Sequence, residues 1–242
     1  GGPADTWRSC AGDDRARGPI GSGEDVSTPE RIDKILASGA GKPPTEPPRN
    51  SVLAGGEDDD AERAGRDDRR DAWRAVVPRR FWDARTSDFQ EPTVRAELDQ
   101  WAALDEPPNL VLMGPVGVGK THAGIAAQRP GFGRGATLLF LPVGELLDQL
   151  DWRRPDSAQA LEQLCAVDRL IIDDLGAERS NEWTGERLYL VVNRRWLDGR
   201  PTVVTANLST QQLIDAVGER TYSRLAHDAV PLELKGKDQR RG

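Results

Sequence analysis

The chain has 242 residues, of which 37% are hydrophobic and 30% charged, with a formal net charge of −7 at neutral pH. That length holds one α/β domain with a buried core plus an additional segment. The longest apolar run, "ATLLFLPV", matches a buried strand and falls far short of a membrane span, and no global basic field advertises nucleic acid.

Two cysteines, Cys10 and Cys165, are too few for a disulfide framework or a cysteine zinc site, and His122 and His227 are not spaced as a ligand pair. Free thiols in a reducing cytoplasm are the expectation, with no structural metal and no membrane association. The start of the chain lacks a charged stretch leading into an apolar one, so no secretory signal is expected.

In chain order, residues 1–72 form a flexible acidic tail with 11 basic and 16 acidic side chains and few large apolar ones. Such a segment cannot bury enough surface to offset its ordering entropy. Within it, "STPERIDKILASG" has the marks of a short docking helix, with Thr28 as cap and Pro29 at the first position. Residues 73–242 read as one folded core. A helix is expected at "EPTVRAELDQWAAL", then strands at "NLVLMG", "ATLLFLPV", "DRLIIDDL", "PTVVTAN" and "VPLEL", with helical stretches between them. Strict alternation of strand and helix implies a three-layer αβα architecture around a parallel sheet, with ligands beyond the carboxyl ends of the strands. The helix that begins at Lys120 is expected to stop at "RPGFGRG", where Pro130 and three glycines follow it. "STQQLIDAVGERTYSRLAH" reads as a single helical stretch.

The chemistry gathers at strand ends. "GPVGVGKT" fits the pattern G-x-x-x-x-G-K-[ST] and lies between a strand and a helix. Gly114, Gly117 and Gly119 let the backbone curl around phosphate oxygens, with Pro115, Val116 and Val118 between them. Lys120 reaches the β- and γ-phosphates, Thr121 takes a Mg²⁺ position and His122 follows in the first helical turn. Fifty-three residues after Lys120, "LIIDD" ends a buried strand in two carboxylates. Asp173 is the candidate Mg²⁺ holder, and Asp174 the candidate for orienting the attacking water. Asn207, just past the strand "PTVVTA", can hydrogen-bond that water or the γ-phosphate. ATP and Mg²⁺ are therefore the expected ligands.

Taken together, "GPVGVGKTHAG", "LIIDDLGAE", "ERLYLVVNRRWLDGRPTVVTANLS" and "GERTYSRLAHDAVPLELKGKD" resemble the DnaC-like helicase loaders and IstB-like transposition ATPases of the AAA+ class. The resemblance covers residues 75–242 and implies a P-loop core without a C-terminal lid domain. It makes Asn207 a sensor and Arg224 the arginine that one subunit inserts into its neighbour's ATP site, with Arg220 as a second candidate. It also points to Arg80 and Phe81 as flanking the nucleotide base. Two aspartates stand where many AAA+ proteins carry Asp-Glu.

The function this resemblance implies first is an ATPase that forms ATP-dependent homo-oligomers and loads a replicative ring helicase onto single-stranded DNA. The alternative is a helper ATPase that regulates a transposase on DNA. The acidic tail tilts the sequence reading toward loading. A small-molecule kinase on the same loop is the competing class, and the Asn207 strand and the "SRL" helix fit it poorly. The "NRRW" segment, Asn193 to Trp196, is a candidate DNA-facing patch, set against a solvated helix face with Trp196 packed inward.

Overall fold

The computed structural model describes residues 57–176 and 182–236. The docking helix expected around Thr28 lies outside the described residues. Five strands, β1 (Leu110–Met113), β2 (Leu138–Pro142), β3 (Arg169–Asp173), β4 (Thr202–Ala206) and β5 (Val230–Glu233), pair in parallel in the order β2-β3-β4-β1-β5. Alternate residues of each strand point to opposite faces, and both faces are covered. Leu110, Leu112, Ile171 and Val203 pack one way, and Val111, Leu170, Ile172 and Val204 the other.

The first layer contains α1 (Glu57–Val76), α2 (Pro92–Ala103) and α3 (Lys120–Gly133). Val94, Leu98 and Trp101 of α2 bury one helical stripe. The second layer contains α4 (Val143–Gln149), α5 (Ser157–Ala166), α6 (Glu182–Leu197), α7 (Thr210–Val217) and α8 (Glu219–Ala226).

Three details depart from the sequence reading. Helix α1 starts at Glu57, inside the segment that composition assigned to the tail, and runs on to bury Trp73 and Val76. Its exposed turns carry charge pairs such as Asp67–Arg70 at 3.2 Å, which suit a solvated helix face. Helix α3 does not stop before Pro130 but continues to Gly133. Proline removes only its own N–H, and the turn beyond it is anchored by Phe132, buried edge-on against Trp73 at 5.3 Å. The "STQQ…RLAH" stretch is two helices, because Gly218 adopts φ +83° and ψ 150° between α7 and α8. Ser209 and Gln212 form a reciprocal capping box that starts α7.

Two buried arginines close the amino-terminal edge of the sheet. Arg169 donates to Gln128 Oε1 and to the carbonyls of Leu104 and Asp105 in the first layer. Arg195, fully buried in the second layer, donates to the carbonyls of Leu164, Val167, Asp168 and Pro201 and to Thr202 Oγ1. Burial pushes its pKa down to about 9, still charged at neutral pH. Half of the "RR" pair is thus a structural clasp and not an exposed DNA contact; Arg194 is exposed and pairs with Glu162.

Candidate nucleotide site

Strand β4 lies between β1 and β3, so the loop after β1, the carboxylates ending β3 and Asn207 beyond β4 meet at one edge. The loop needs its glycines for shape. Gly114 has φ +143°, and a Cβ there would stand 2.2 Å from the Leu234 carbonyl oxygen. Gly119 has φ +98°, which turns the chain into the first residue of α3, Lys120. The N-terminus of α3, with its unpaired N–H groups, therefore faces the loop's interior.

Lys120, 6% exposed, donates from Nζ to the carbonyls of Gly114 (2.9 Å) and Pro115 (2.7 Å) and to Asn207 Oδ1. Asn207 Nδ2 in turn donates to Asp174 Oδ1 at 3.1 Å. Asp173, 9% exposed, accepts from Thr121 Oγ1 at 2.9 Å and from Thr205 Oγ1 at 2.7 Å. Burial raises the Asp173 pKa above the usual carboxylate value, while the two hydroxyls and Lys120 pull it back. A hard cation beside Thr121 and Asp173 would relieve that burial cost, so this oxygen pair fits Mg²⁺. The same threonine, Thr205, accepts from the Asp174 backbone N–H at 2.9 Å. That bond holds Asp174 at φ +56°, unusual for a residue with a side chain, and leaves its carboxylate exposed toward Asn207.

A strap preceding α2 supplies the opposite wall. Trp73 Nε1 donates to the Trp82 carbonyl, Trp82 Nε1 to the Val77 carbonyl, and Arg129 also reaches the Trp82 carbonyl. These bonds seat Arg80 and Phe81 on the cavity that Val116, Gly117, Gly119, Lys120, Thr121, His122, Asp174 and Asn207 also line. His122 stands edge-on to Phe81 (6.2 Å) and Phe89 (5.7 Å), and its Nε2 lies 2.7 Å from Asp88 Oδ2. The Arg85 backbone N–H, with help from His122, holds the Asp88 carboxyl below its ordinary range.

The structure thus brings the loop from Gly114 to His122 together with Asp173, Asp174, Asn207, Arg80 and Phe81. Arg224 stands apart. Asn109, the residue before β1, donates to the Arg224 and Leu225 carbonyls, whereas the glycine loop begins beyond the other end of β1. Arg220 is exposed on the same helix. Sequence reasoning gave no role to Asp88, Phe89 or the hydroxyl of Thr205. Every residue of β4 is buried, Thr205 included, as suits a central parallel strand, but nothing local marks Asp88 as the partner of His122.

The model of the family described as IstB-like ATP binding protein matches residues 60–241. The insertion sequence IS5376 ATP-binding protein of Geobacillus stearothermophilus is 30% identical over 153 residues, 60% of this chain and 60% of that protein. The replicative helicase loader DnaC of Escherichia coli (strain K12) is 26% identical over 121 residues, 48% of this chain and 49% of DnaC. The chain therefore spans about half of DnaC and three fifths of the IS5376 protein. Among solved structures, the DnaC helicase loader superposes with a TM-score of 0.60 at 21% identity, covering 65% of this chain and 100% of that one. AMPPCP-bound DnaA from Aquifex aeolicus gives 0.56 at 19% identity, covering 65% and 52%. These two likenesses establish the AAA+ P-loop fold. With three quarters of its length matched by one family model, the chain belongs to the IstB-like ATP-binding proteins.

Proposed function

We propose that this chain is an ATP-hydrolysing switch that acts on DNA through a transposase partner. The observation that carries the hydrolytic reading is the unbroken chain of contacts from Lys120 through Asn207 to Asp174, beside the Thr121–Asp173–Thr205 triad. In this reading Lys120 leaves the Gly114 and Pro115 carbonyls for the β- and γ-phosphates of ATP. Thr121 and Asp173 hold Mg²⁺, which when bound supplies charge neutralisation at the phosphates. Asp174 orients the attacking water and accepts its proton, and Asn207 reports the γ-phosphate by changing partners between Lys120, Asp174 and that group. Phe81, Arg80 and His122 flank the base.

Arg224 cannot complete its own chain's site from beside the entry of β1. It serves the site of a neighbouring copy, which makes hydrolysis depend on assembly. An arginine of this kind is worth roughly 10³–10⁵ in rate in the phosphoryl-transfer enzymes where it has been measured.

The family model and the insertion-sequence relatives, 30% and 28% identical over 60% of this chain, favour a transposase as the partner. A second reading, loading of a replicative ring helicase onto single-stranded DNA, is supported by the 26% identity to DnaC over 48% of the chain. The test is ATP turnover with and without DNA, combined with capture of a purified integrase-type transposase and a purified ring helicase. ATP-dependent capture of the transposase alone supports the first reading, and capture of the helicase alone replaces it with the second. Absence of turnover under every condition overturns the hydrolytic reading itself.

A further inference from the structure

Two helices converge on Arg224. Asn193 and Trp196 are three residues apart on α6, so they share one face of that helix. The Arg224 guanidinium lies over the Trp196 ring, 4.3 Å from its centroid, and Nε donates to Asn193 Oδ1 at 3.3 Å. His227 braces the indole edge-on, at 5.5 Å and 86°. The guanidinium is therefore held by one face and one edge.

What remains open is informative. Among the described residues Arg224 makes no ion pair, and neither terminal nitrogen of its fork donates a hydrogen bond. An arginine stored for stability spends its fork on acceptors, as the buried Arg195 does with four carbonyls and a hydroxyl. Arg224 instead keeps its full charge and its two-pronged end available. An aromatic face attracts the cation without neutralising it, and it removes the rotamer freedom of a long side chain before any partner arrives.

We infer that Trp196, assisted by Asn193, is a positioning residue that presents Arg224 to the nucleotide phosphates bound by a second copy of this chain. The inference rests on the proposed action of Arg224 in trans and goes beyond it by naming what aims the arginine. Trp196 lies outside the nucleotide cavity, so its role is in donating the arginine and not in receiving one.

Mixed assemblies separate these roles. Arg224→Ala protein has an intact nucleotide cavity and needs a neighbour's arginine, whereas Lys120→Ala protein can only donate one. Mixing the two is expected to restore turnover. The double variant Lys120→Ala/Trp196→Leu is expected to restore less than about a tenth of what Lys120→Ala restores. Trp196→Leu alone, used as acceptor, is expected to be rescued by the Lys120→Ala donor, which also shows that it folds. A fluorescent ATP analogue is expected to bind Trp196→Leu as tightly as wild type, giving a reading independent of turnover. Trp196→Phe, which retains an aromatic face, is expected to keep most donor function. Equal rescue by the Lys120→Ala donor with and without the Trp196→Leu change overturns the inference, as does equal loss with Trp196→Phe and Trp196→Leu. If Arg224→Ala turns over like wild type at every concentration, the trans-acting reading itself fails, an outcome visible before any Trp196 variant is mixed.

Discussion

Asp173 carries a conflict, a carboxylate taken out of water at the position proposed for a cation. Its folded-state pKa lies above the unfolded one because burial dominates. The stability tied to this group is therefore complete below the unfolded value and is lost as pH rises through the folded value. Asp173→Asn keeps an oxygen for both the Thr121 and Thr205 hydroxyls and carries no charge to bury. Calorimetry of nucleotide-free protein near neutral pH is expected to find the variant melting a few degrees higher than wild type, with the gap closing toward acidic pH. Turnover is expected to fall about a hundredfold or more, the scale of one lost preorganised contact. Thr205→Val removes the hydroxyl shared by Asp173 and the Asp174 N–H, and turnover should drop while the fold persists. The aspartates were legible in "LIIDD" because strand patterning puts them at a tip. Thr205 was not, because a buried threonine in a strand looks the same whether it holds a carboxylate or simply packs.

At the scale of elements, the two edges of the sheet do opposite work. One edge carries the glycine loop with buried Asp173 and exposed Asp174, and the other is tied by Arg169 and Arg195. Gly131 sits where α3 crosses Arg169, and a Cβ there would lie 2.3 Å from the guanidinium carbon. Arg169 is 3% exposed and held by three acceptors, so it cannot swing aside. Gly131→Ala is expected to cost about 1–3 kcal/mol in denaturant unfolding. Arg195→Leu strands the acceptors it served and should cost about 3–5 kcal/mol, whereas Arg194→Ala, on the exposed side of the same helix, should leave the midpoint nearly unchanged. The helices and strands were readable from periodicity, yet the end of α3 was not. Local propensity counts Pro130 and the glycines as breakers, and only tertiary contacts show that Phe132 packs and Gly131 makes room.

For the whole molecule, the nucleotide cavity and Arg224 lie at opposite ends of β1, so under the proposed action in trans one copy would supply two unlike halves of a composite site. Specific turnover is expected to rise with protein concentration, and the Arg224→Ala variant should lose that rise. The order of the strands explains why motifs distant in sequence meet, since β4 brings Asn207 between the loop and the aspartates. That convergence was foreseeable from the alternating pattern, and the strap from Trp73 to Phe89 was foreseen only at Arg80 and Phe81. The tail that tilted the sequence reading toward helicase loading lies largely outside the described residues, so the choice of partner falls to the family match and to experiment.

The central claim is that Lys120 and Asp173 serve one Mg²⁺–ATP site. Equilibrium binding of ATP, with and without Mg²⁺, to wild type, Lys120→Ala and Asp173→Asn tests it most directly. Lys120→Ala is expected to bind about tenfold to a hundredfold more weakly in either condition, the scale of a lost charge-assisted hydrogen bond. Asp173→Asn is expected to lose the gain in affinity that Mg²⁺ gives wild type. Wild-type affinity in both variants, with the Mg²⁺ effect intact, would contradict the account.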